Sequence, residues 1–298
     1  MRLPAPLILT ACAVIVVACG GAGGPSPSTP EAPTQGSGGD TPGGTYWLRA
    51  MTTQALPPVN VFATQPTVVI TGDGLAVTQG PVPAIFPGPL MPNLQARQLS
   101  EAGRAEIITA ARELGLLDGT RDFTPGPPVM GGVSGRIELT VDGAPVVLTG
   151  DPAALIECVT TPCEPPIGSP AAFAEFWRRL EDLESWIPNE LGTEAPYEAP
   201  AYAILVGPAP TPDPNLPQDP MDWPLEQPLA LFGGPVADGS YRCGMASGED
   251  AVTLRPALEA ANQLTQWIQD PETSAAFGLA VRPMVPGEDV CREVFGPA

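Results

Sequence analysis

Acidic side chains are the groups of this chain that could most readily do chemistry, because two carboxyls can share acid and base work across a bond. Three groups stand on or before predicted helices or in a turn: Glu181, Asp182 and Glu184; Glu249 and Asp250; Glu288 and Asp289. The first group lies beside Arg178 and Arg179, which is typical of a solvated helix face. Acids before a helix complement its dipole. We therefore predict no catalytic residue.

Histidine and lysine are both absent, and all 13 basic residues are arginine. Ser-His-Asp and Cys-His catalysis need an imidazole, whereas Schiff-base chemistry and phosphate-binding P-loops need a lysine. Catalytic zinc sites usually contain histidine. The net charge of −20 disfavours nucleic acid as a partner. We therefore predict no cofactor, no metal ion and no nucleic-acid partner, and leave open whether the acidic surface attracts cations.

Cys19 follows a short apolar segment near the start of the sequence. Arg2 supplies a positive charge, residues 7–18 are almost entirely apolar, and VVACG at 16–20 resembles the lipobox at which bacterial signal peptidase cleaves before a cysteine. A membrane-spanning helix would need about 20 apolar residues. We predict a lipoprotein signal peptide over 1–18, acylation of Cys19 (palmitate), and a lipid-anchored position on the extracytoplasmic face of the cell membrane. An ordinary secretory peptide or an uncleaved anchor is the alternative.

A linker is predicted after the lipidated cysteine, over residues 19–45. Residues 20–45 contain no aliphatic side chain larger than alanine and no aromatic ring. Such a segment cannot bury enough apolar surface to offset the entropy of ordering. Three aromatic residues are our candidates for contact with a partner: Tyr46 and Trp47, directly after the linker, and Trp223 in a proline-rich stretch.

Four cysteines follow the linker, and an even number in an exported chain indicates disulfides. Four cysteines allow three pairings. We favour Cys158–Cys163, across the short turn CVTTPC, and Cys243–Cys291, which ties the last helical region to the C-terminal end. A metal site and a redox-active pair are the disfavoured alternatives, because the spacing contains no C-x-x-C pair.

Two strand-strand-helix units are predicted in the first half of the domain. In one, strands over 67–71 and 75–78 flank a Gly-Asp-Gly turn, and a helix spans 100–114 between Ser100 as N-cap and Gly115 as stop signal. In the next, strands over 137–141 and 146–148 precede a helix that begins at Pro170 after the cap Ser169. Helical spacing predicts its buried face: Phe173, Phe176, Trp177, Leu180, Leu183 and Ile187.

A third, divergent unit closes the chain. We predict strands over 202–206, 228–232 and 277–283, and a helix over 253–268 with Pro256 in its first turn. Hairpins that alternate with helices indicate an α+β fold, an antiparallel sheet of strand-strand-helix units with the helices packed on one face and disulfides as staples. We assign residues 46–298 to a single extracytoplasmic domain, with 46–190 and 197–298 as candidate sub-units.

The sequence resembles uncharacterised exported lipoproteins of high-GC bacteria. The resemblance lies in the lipobox, the Gly- and Pro-rich linker, RQLSEAG at 97–103 and VRPMVPGEDVC at 281–291. It implies no activity, and no catalytic residue is carried over from it. We predict a membrane-anchored, non-catalytic binding module for a protein or an envelope glycan. The alternative is a carboxylate-dependent hydrolase of envelope glycans, which would need two acids about 5–10 Å apart across a cleft.

Overall fold

A computed structural model describes residues 46–54, 56–118, 121–124, 132–155, 165–236, 239–269 and 275–296. All of them lie within one compact unit of residues 40–298. The predicted signal peptide, the linker with Cys19, and the pair Cys158–Cys163 lie outside the described residues. The described segments form two mostly antiparallel β-sheets with α-helices packed on them, so the α+β class is confirmed.

The first sheet has eight strands in the order β5-β7-β6-β1-β2-β3-β4-β8. Among its described strands, β5 and β7 pair in parallel and the other neighbours pair antiparallel. Its strands are β1 (Tyr46–Thr53), β2 (Val68–Thr71), β3 (Leu75–Gln79), β4 (Leu94–Gln98), β5 (Asp122–Phe123), β6 (Ser134–Val141), β7 (Ala144–Gly150) and β8 (Ala195–Pro196). Both predicted hairpins, β2–β3 and β6–β7, are present, because short glycine-containing turns join them.

Two long helices cover one face of this sheet: α2 (Glu101–Glu113) and α3 (Pro170–Glu181). Ser100 and Ser169 cap them as predicted, and each side chain accepts a hydrogen bond from the backbone amide three residues on. Gly115 follows α2 with φ +68°, a conformation that suits glycine. The predicted apolar face of α3 is buried, and it continues into the short helix α4 (Leu183–Trp186) and a 3₁₀ turn (Pro188–Glu190).

The second sheet has six strands in the order β10-β13-β14-β9-β12-β11. They are β9 (Ala201–Pro208), β10 (Met221–Asp222), β11 (Gly234–Val236), β12 (Tyr241–Ser247), β13 (Trp267–Ile268) and β14 (Ala276–Pro283). The predicted strands over 202–206 and 277–283 are β9 and β14, which pair directly. The predicted strand over 228–232 is wrong: Leu229–Leu231 is a 3₁₀ turn.

Helices lie against both faces of the second sheet, which differs from the single covered face that we expected. Alternate residues of β9 belong to two separate clusters of buried side chains. Tyr202 and Ile204 pack with α5 (Glu249–Ala260), whereas Ala203 and Leu205 pack with α1 (Pro58–Ala63) and α6 (Val290–Phe295).

Helix α5 differs from its predicted span of 253–268. It begins at Glu249 and ends at Ala260, and Ala261 is already extended. Pro256 therefore stands inside the helix and not in its first turn. Beyond the helix, the backbone amide of Asn262 donates to the Thr265 hydroxyl at 2.9 Å, and Trp267 belongs to strand β13. Such local side-chain hydrogen bonds compete with helix formation.

The predicted disulfide Cys243–Cys291 is present, with its Cα atoms 5.8 Å apart. It joins strand β12 to helix α6, across one of the two faces of the second sheet. Helix α6 is short, and the disulfide adds a covalent tie to the packing of its apolar residues.

Candidate functional site

A cavity of about 310 Å³ lies where the face of the first sheet turned away from α2 and α3 meets helices α1 and α6. Its wall combines three arginines with apolar side chains. The lining includes Arg49, Met51, Val61, Arg136, Arg282 and Glu293. They come from strands β1, β6 and β14 and from both helices, so the cavity exists only once the two sheets are assembled.

Arg49 is the buried centre of this wall, with only 7% of its surface exposed. The register of β1 and β6 places it directly opposite Glu138. Its Nε and Nη2 both lie 3.0 Å from Oε2 of Glu138, and its Nη1 lies 3.1 Å from Oε2 of Glu293 on α6. Burial opposes the charged form, but the charges of Glu293 and Glu138 outweigh it and raise the pKa of Arg49.

Glu138 is the acceptor that Arg49 shares with two other residues. It accepts from the Tyr46 hydroxyl at 2.5 Å and from Nε of Arg136 at 2.8 Å. Burial alone would raise the pKa of Glu138, but the hydrogen bonds from Tyr46 and Arg136 and the charge of Arg49 hold it below its usual value. Burial, together with the hydrogen bond to Glu138, raises the pKa of Tyr46 to about 12.

Arg136 is the most exposed of the three arginines, with 39% of its side chain accessible. Its Nε is bound to Glu138, whereas its terminal nitrogens, Nη1 and Nη2, have no partner among the described residues. A guanidinium held in this way keeps its end-on pair of donors, whose geometry suits a carboxylate.

Arg282, on β14, is part of the cavity wall and is 3% exposed. Its Nη1 donates to the carbonyl oxygens of Phe62 and Thr64, at the end of α1, and its Nη2 pairs with the fully buried carboxylate of Glu288. Its Nε is buried without an acceptor in the described part of the chain. Arg282 therefore fastens α1 to the second sheet and leaves one donor unsatisfied, which is rare for a buried group.

A second surface surrounds the proline-rich loop, residues 80–93, beside a groove of about 410 Å³. Three large apolar side chains of this loop are exposed to solvent: Val82 (71%), Ile85 (64%) and Phe86 (68%). The described residues that line the groove are all uncharged, and they include Leu279 and Val281 of β14. The loop is fastened at its far side, where Leu90 donates to the carbonyl of Ala261 at 3.1 Å.

The three aromatic candidates for partner contact have different surroundings. Tyr46 is half-buried and bound to Glu138, and Trp47 is partly buried against the core of the first sheet. Trp223 is 6% exposed and packs edge-on against Phe232 and Trp267. Proline-rich surroundings suggested an accessible ring, but the parallel pairing of β10 with β13 carries Trp223 into the second core.

The acidic groups considered at the outset are separated and engaged locally. Glu181 accepts from the Trp177 indole at 2.7 Å, and Asp182 caps α4. Glu249 and Asp250 lie in the first turn of α5. Glu288 is the buried partner of Arg282, and Asp289 caps α6. No group of three or more potential metal ligands occurs within the described residues.

The cluster around Arg49 contains residues that the sequence did not single out. Arg136 and Glu138 stand in β6, whose apolar alternation is plain, so a charge in that strand could have drawn attention to them; β1, which contains Arg49, gave no such signal. Their meeting depends on strand register, which no short motif encodes.

In the part of the chain that the structure covers, no helix has the length and apolar character to cross a bilayer. Comparisons with family models, with curated proteins and with solved structures find no match to this chain. The physical features of the two surfaces therefore carry the functional argument.

Proposed function

We propose that this protein is an extracytoplasmic lipoprotein, held at the cell membrane by acyl groups on Cys19, whose domain is a non-catalytic binding module for another protein of the envelope. The observation that carries the binding role is the proline-rich loop, which presents Val82, Ile85 and Phe86 to solvent beside an uncharged groove. Exposed apolar side chains grouped in this way are typical of an interaction site.

The charge of the chain defines the partner further. The molecule carries a net charge of −20, yet none of the described residues that line the groove is charged. A partner that fits has an apolar or aromatic segment for the groove and a basic character overall, because the net negative charge of the chain would attract it. Interfaces of this kind have apolar centres and polar rims.

The hydrolase alternative finds no support in the carboxyls of the arginine-lined cavity. Glycoside hydrolysis needs an acid whose raised pKa keeps it protonated near neutral pH. Burial is outweighed at Glu138, whose pKa is lowered by Tyr46, Arg136 and Arg49. Glu293 lies beside the same guanidinium, with its Oε2 3.1 Å from Nη1 of Arg49. Both groups are arranged as partners of arginine, and an envelope glycan remains the less favoured ligand.

Site-specific photo-crosslinking in cells tests the docking surface. A photoreactive residue placed at Phe86 should crosslink to one defined envelope protein, whereas the same residue at Val252, 69% exposed on α5, should not. The Kd of the purified pair should then increase at least about 10-fold for Phe86→Ser and stay unchanged for Val252→Ser. The Kd of the wild-type pair should increase with salt. Equal crosslinking at both positions, crosslinks to a second copy of this chain alone, or an unchanged Kd for Phe86→Ser would overturn the proposal.

Metabolic labelling tests the anchor separately. In a bacterial host that processes lipoproteins, an alkyne-tagged palmitate should label the full chain and keep it in the membrane fraction. The Cys19→Ala variant should lose both the label and the membrane retention, whereas Cys12→Ala should keep them, since Cys12 precedes the predicted cleavage site. A labelled Cys19→Ala protein, or an unlabelled wild type, would contradict this assignment.

A further inference from the structure

We propose that the arginine-lined cavity binds a small organic monocarboxylate, with the terminal nitrogens of Arg136 holding the carboxylate and the apolar wall holding the rest of the molecule. The inference goes beyond the protein-binding role, because this cavity and the groove beside the proline-rich loop share no lining residue in the described part of the chain.

The donor geometry of Arg136 is the first support. Glu138 holds Nε at 2.8 Å, which fixes the plane of the guanidinium, while Nη1 and Nη2 have no partner among the described residues. The side chain lines the cavity and is 39% exposed, so a ligand can reach it. Two parallel N–H donors on one rigid group bind a carboxylate in a bidentate fashion.

The charges around Arg136 select a single negative charge. The guanidinium of Arg49 is compensated by Glu138 and Glu293, and that of Arg282 by Glu288. Arg136 shares Glu138 with Arg49, and Glu138, Glu293 and Glu288 together balance the three guanidinium groups, so the cluster offers hydrogen-bond donors without a net positive charge. Glu293 lines the cavity and is 37% exposed, and its negative charge disfavours a second anionic group on the ligand. These charges favour a monoanion over phosphates and other multiply charged molecules.

The size and the apolar side of the wall define the rest of the ligand. Met51, Leu56, Val61 and Val294 contribute apolar side chains. The volume of about 310 Å³ is at the lower end of the range for ligand pockets. A short aliphatic or aromatic carboxylate fits this description, whereas a polymer or a long acyl chain does not.

Calorimetric titration of the purified full chain with hexanoate, phenylacetate and benzoate tests the inference, each beside its neutral amide and with inorganic phosphate as a further probe. At least one carboxylate should bind, its amide should bind about 10-fold more weakly or worse, and phosphate should not compete. No binding of any carboxylate at about 10 mM, or equal binding of acid and amide, would overturn the proposal.

Matched variants locate the binding. Arg136→Gln should weaken carboxylate affinity at least about 10-fold, and Arg136→Lys, which keeps the charge but loses the fork, should give an intermediate loss. Arg112→Gln is the control, because Arg112 pairs with Asp142 away from the cavity and should bind as wild type does. Urea unfolding of each variant verifies that it is folded. A folded Arg136→Gln protein with wild-type affinity would refute the site.

Discussion

Replacement of Arg49 by methionine tests whether the buried ion-pair cluster holds the two sheets together. The substitution keeps an unbranched side chain but removes the contacts to Glu138 at 3.0 Å and to Glu293 at 3.1 Å. Removal of one partner of a buried pair costs about 3–5 kcal/mol, because the other charge stays buried. Glu138 keeps Arg136 and Tyr46, and Glu293 is 37% exposed, so we expect the lower end, about 3 kcal/mol.

Urea unfolding at neutral pH under non-reducing conditions, followed by tryptophan fluorescence, measures this loss. Arg112→Met is the matched control: its pair with Asp142 is also 3.1 Å long but 54% and 84% exposed, and should contribute only about 0–1 kcal/mol. The slope of the free energy of unfolding against urea should be similar for both variants, because the surface exposed on unfolding is similar.

The double variant Arg49→Met with Glu138→Leu shows whether the stability loss of Arg49→Met comes from the uncompensated charge of Glu138 or from lost packing. Strand register places residues 49 and 138 opposite each other, so two apolar side chains there can form a cross-strand contact. Since the stranded carboxylate is gone, the double variant should be at least about 1 kcal/mol more stable than Arg49→Met alone. The reasoning is refuted if Arg49→Met loses no more stability than the Arg112→Met control. It is also refuted if the stability loss of the double variant equals the sum of the losses of Arg49→Met and Glu138→Leu measured singly.

Three further changes have expected outcomes in the same unfolding assay. Cys243→Ala with Cys291→Ala opens a crosslink across 48 residues and should cost about 4 kcal/mol in the chain-entropy model; an unchanged midpoint would contradict it. Because the pKa of Tyr46 is raised to about 12, its neutral hydroxyl contributes stability that is present below pH 10 and lost as the pH rises towards 12. The free energy of unfolding of Tyr46→Phe should therefore fall less than that of the wild type between pH 10 and pH 12. Gly150→Ala would bring a Cβ to 2.5 Å from an aromatic ring and should cost about 1–3 kcal/mol, whereas Gly72→Ala, with nothing within 4 Å, should stay near wild type.

Local signals predicted the elements whose causes lie within a few residues. The hairpin β2–β3 follows from glycine at its turn, where Gly74 has φ +92°. Helix α2 follows from its cap, since the hydroxyl of Ser100 accepts from the amide of Gly103 at 3.0 Å. In such elements the same short segment contains both the residues that favour the turn or helix and the groups that complete its hydrogen bonds. No knowledge of distant contacts is therefore needed to predict them.

The prediction for α5 was wrong because an apolar stripe continues beyond the end of the helix. Leu264, Trp267 and Ile268 keep helical spacing, but Trp267 is buried as part of strand β13, beside β14. Its surroundings are set by Trp223 and by the rest of the second core, which lie far away in sequence. Tertiary packing therefore decided the structure of a segment whose apolar periodicity was compatible with either a helix or a strand.

Strand β1 was missed for a related reason. Residues 46–53 follow the predicted linker, and Tyr46 and Trp47 drew attention as isolated aromatic residues. The strand lies between β2 and β6 in the first sheet, and this central position buries Leu48 and Ala50 on one face and Arg49 on the other. An arginine in the middle of a central strand weakens the apolar alternation, although it is the residue around which the cavity wall forms.

The contacts that position helix α6 show why no local sequence motif predicts the cavity. Its position depends on the disulfide to β12, on the pairing of Glu293 with Arg49 of β1, and on the contact of Phe295 with Phe62 of α1. Each tie joins α6 to a different element, and the ties converge only when both sheets are in place. Arg282 adds a fourth constraint, because it fastens α1 to β14. Arg136 lines a cavity whose walls are fixed by contacts over about 50 to 240 residues of sequence, so register and long-range pairing determine the site's chemistry.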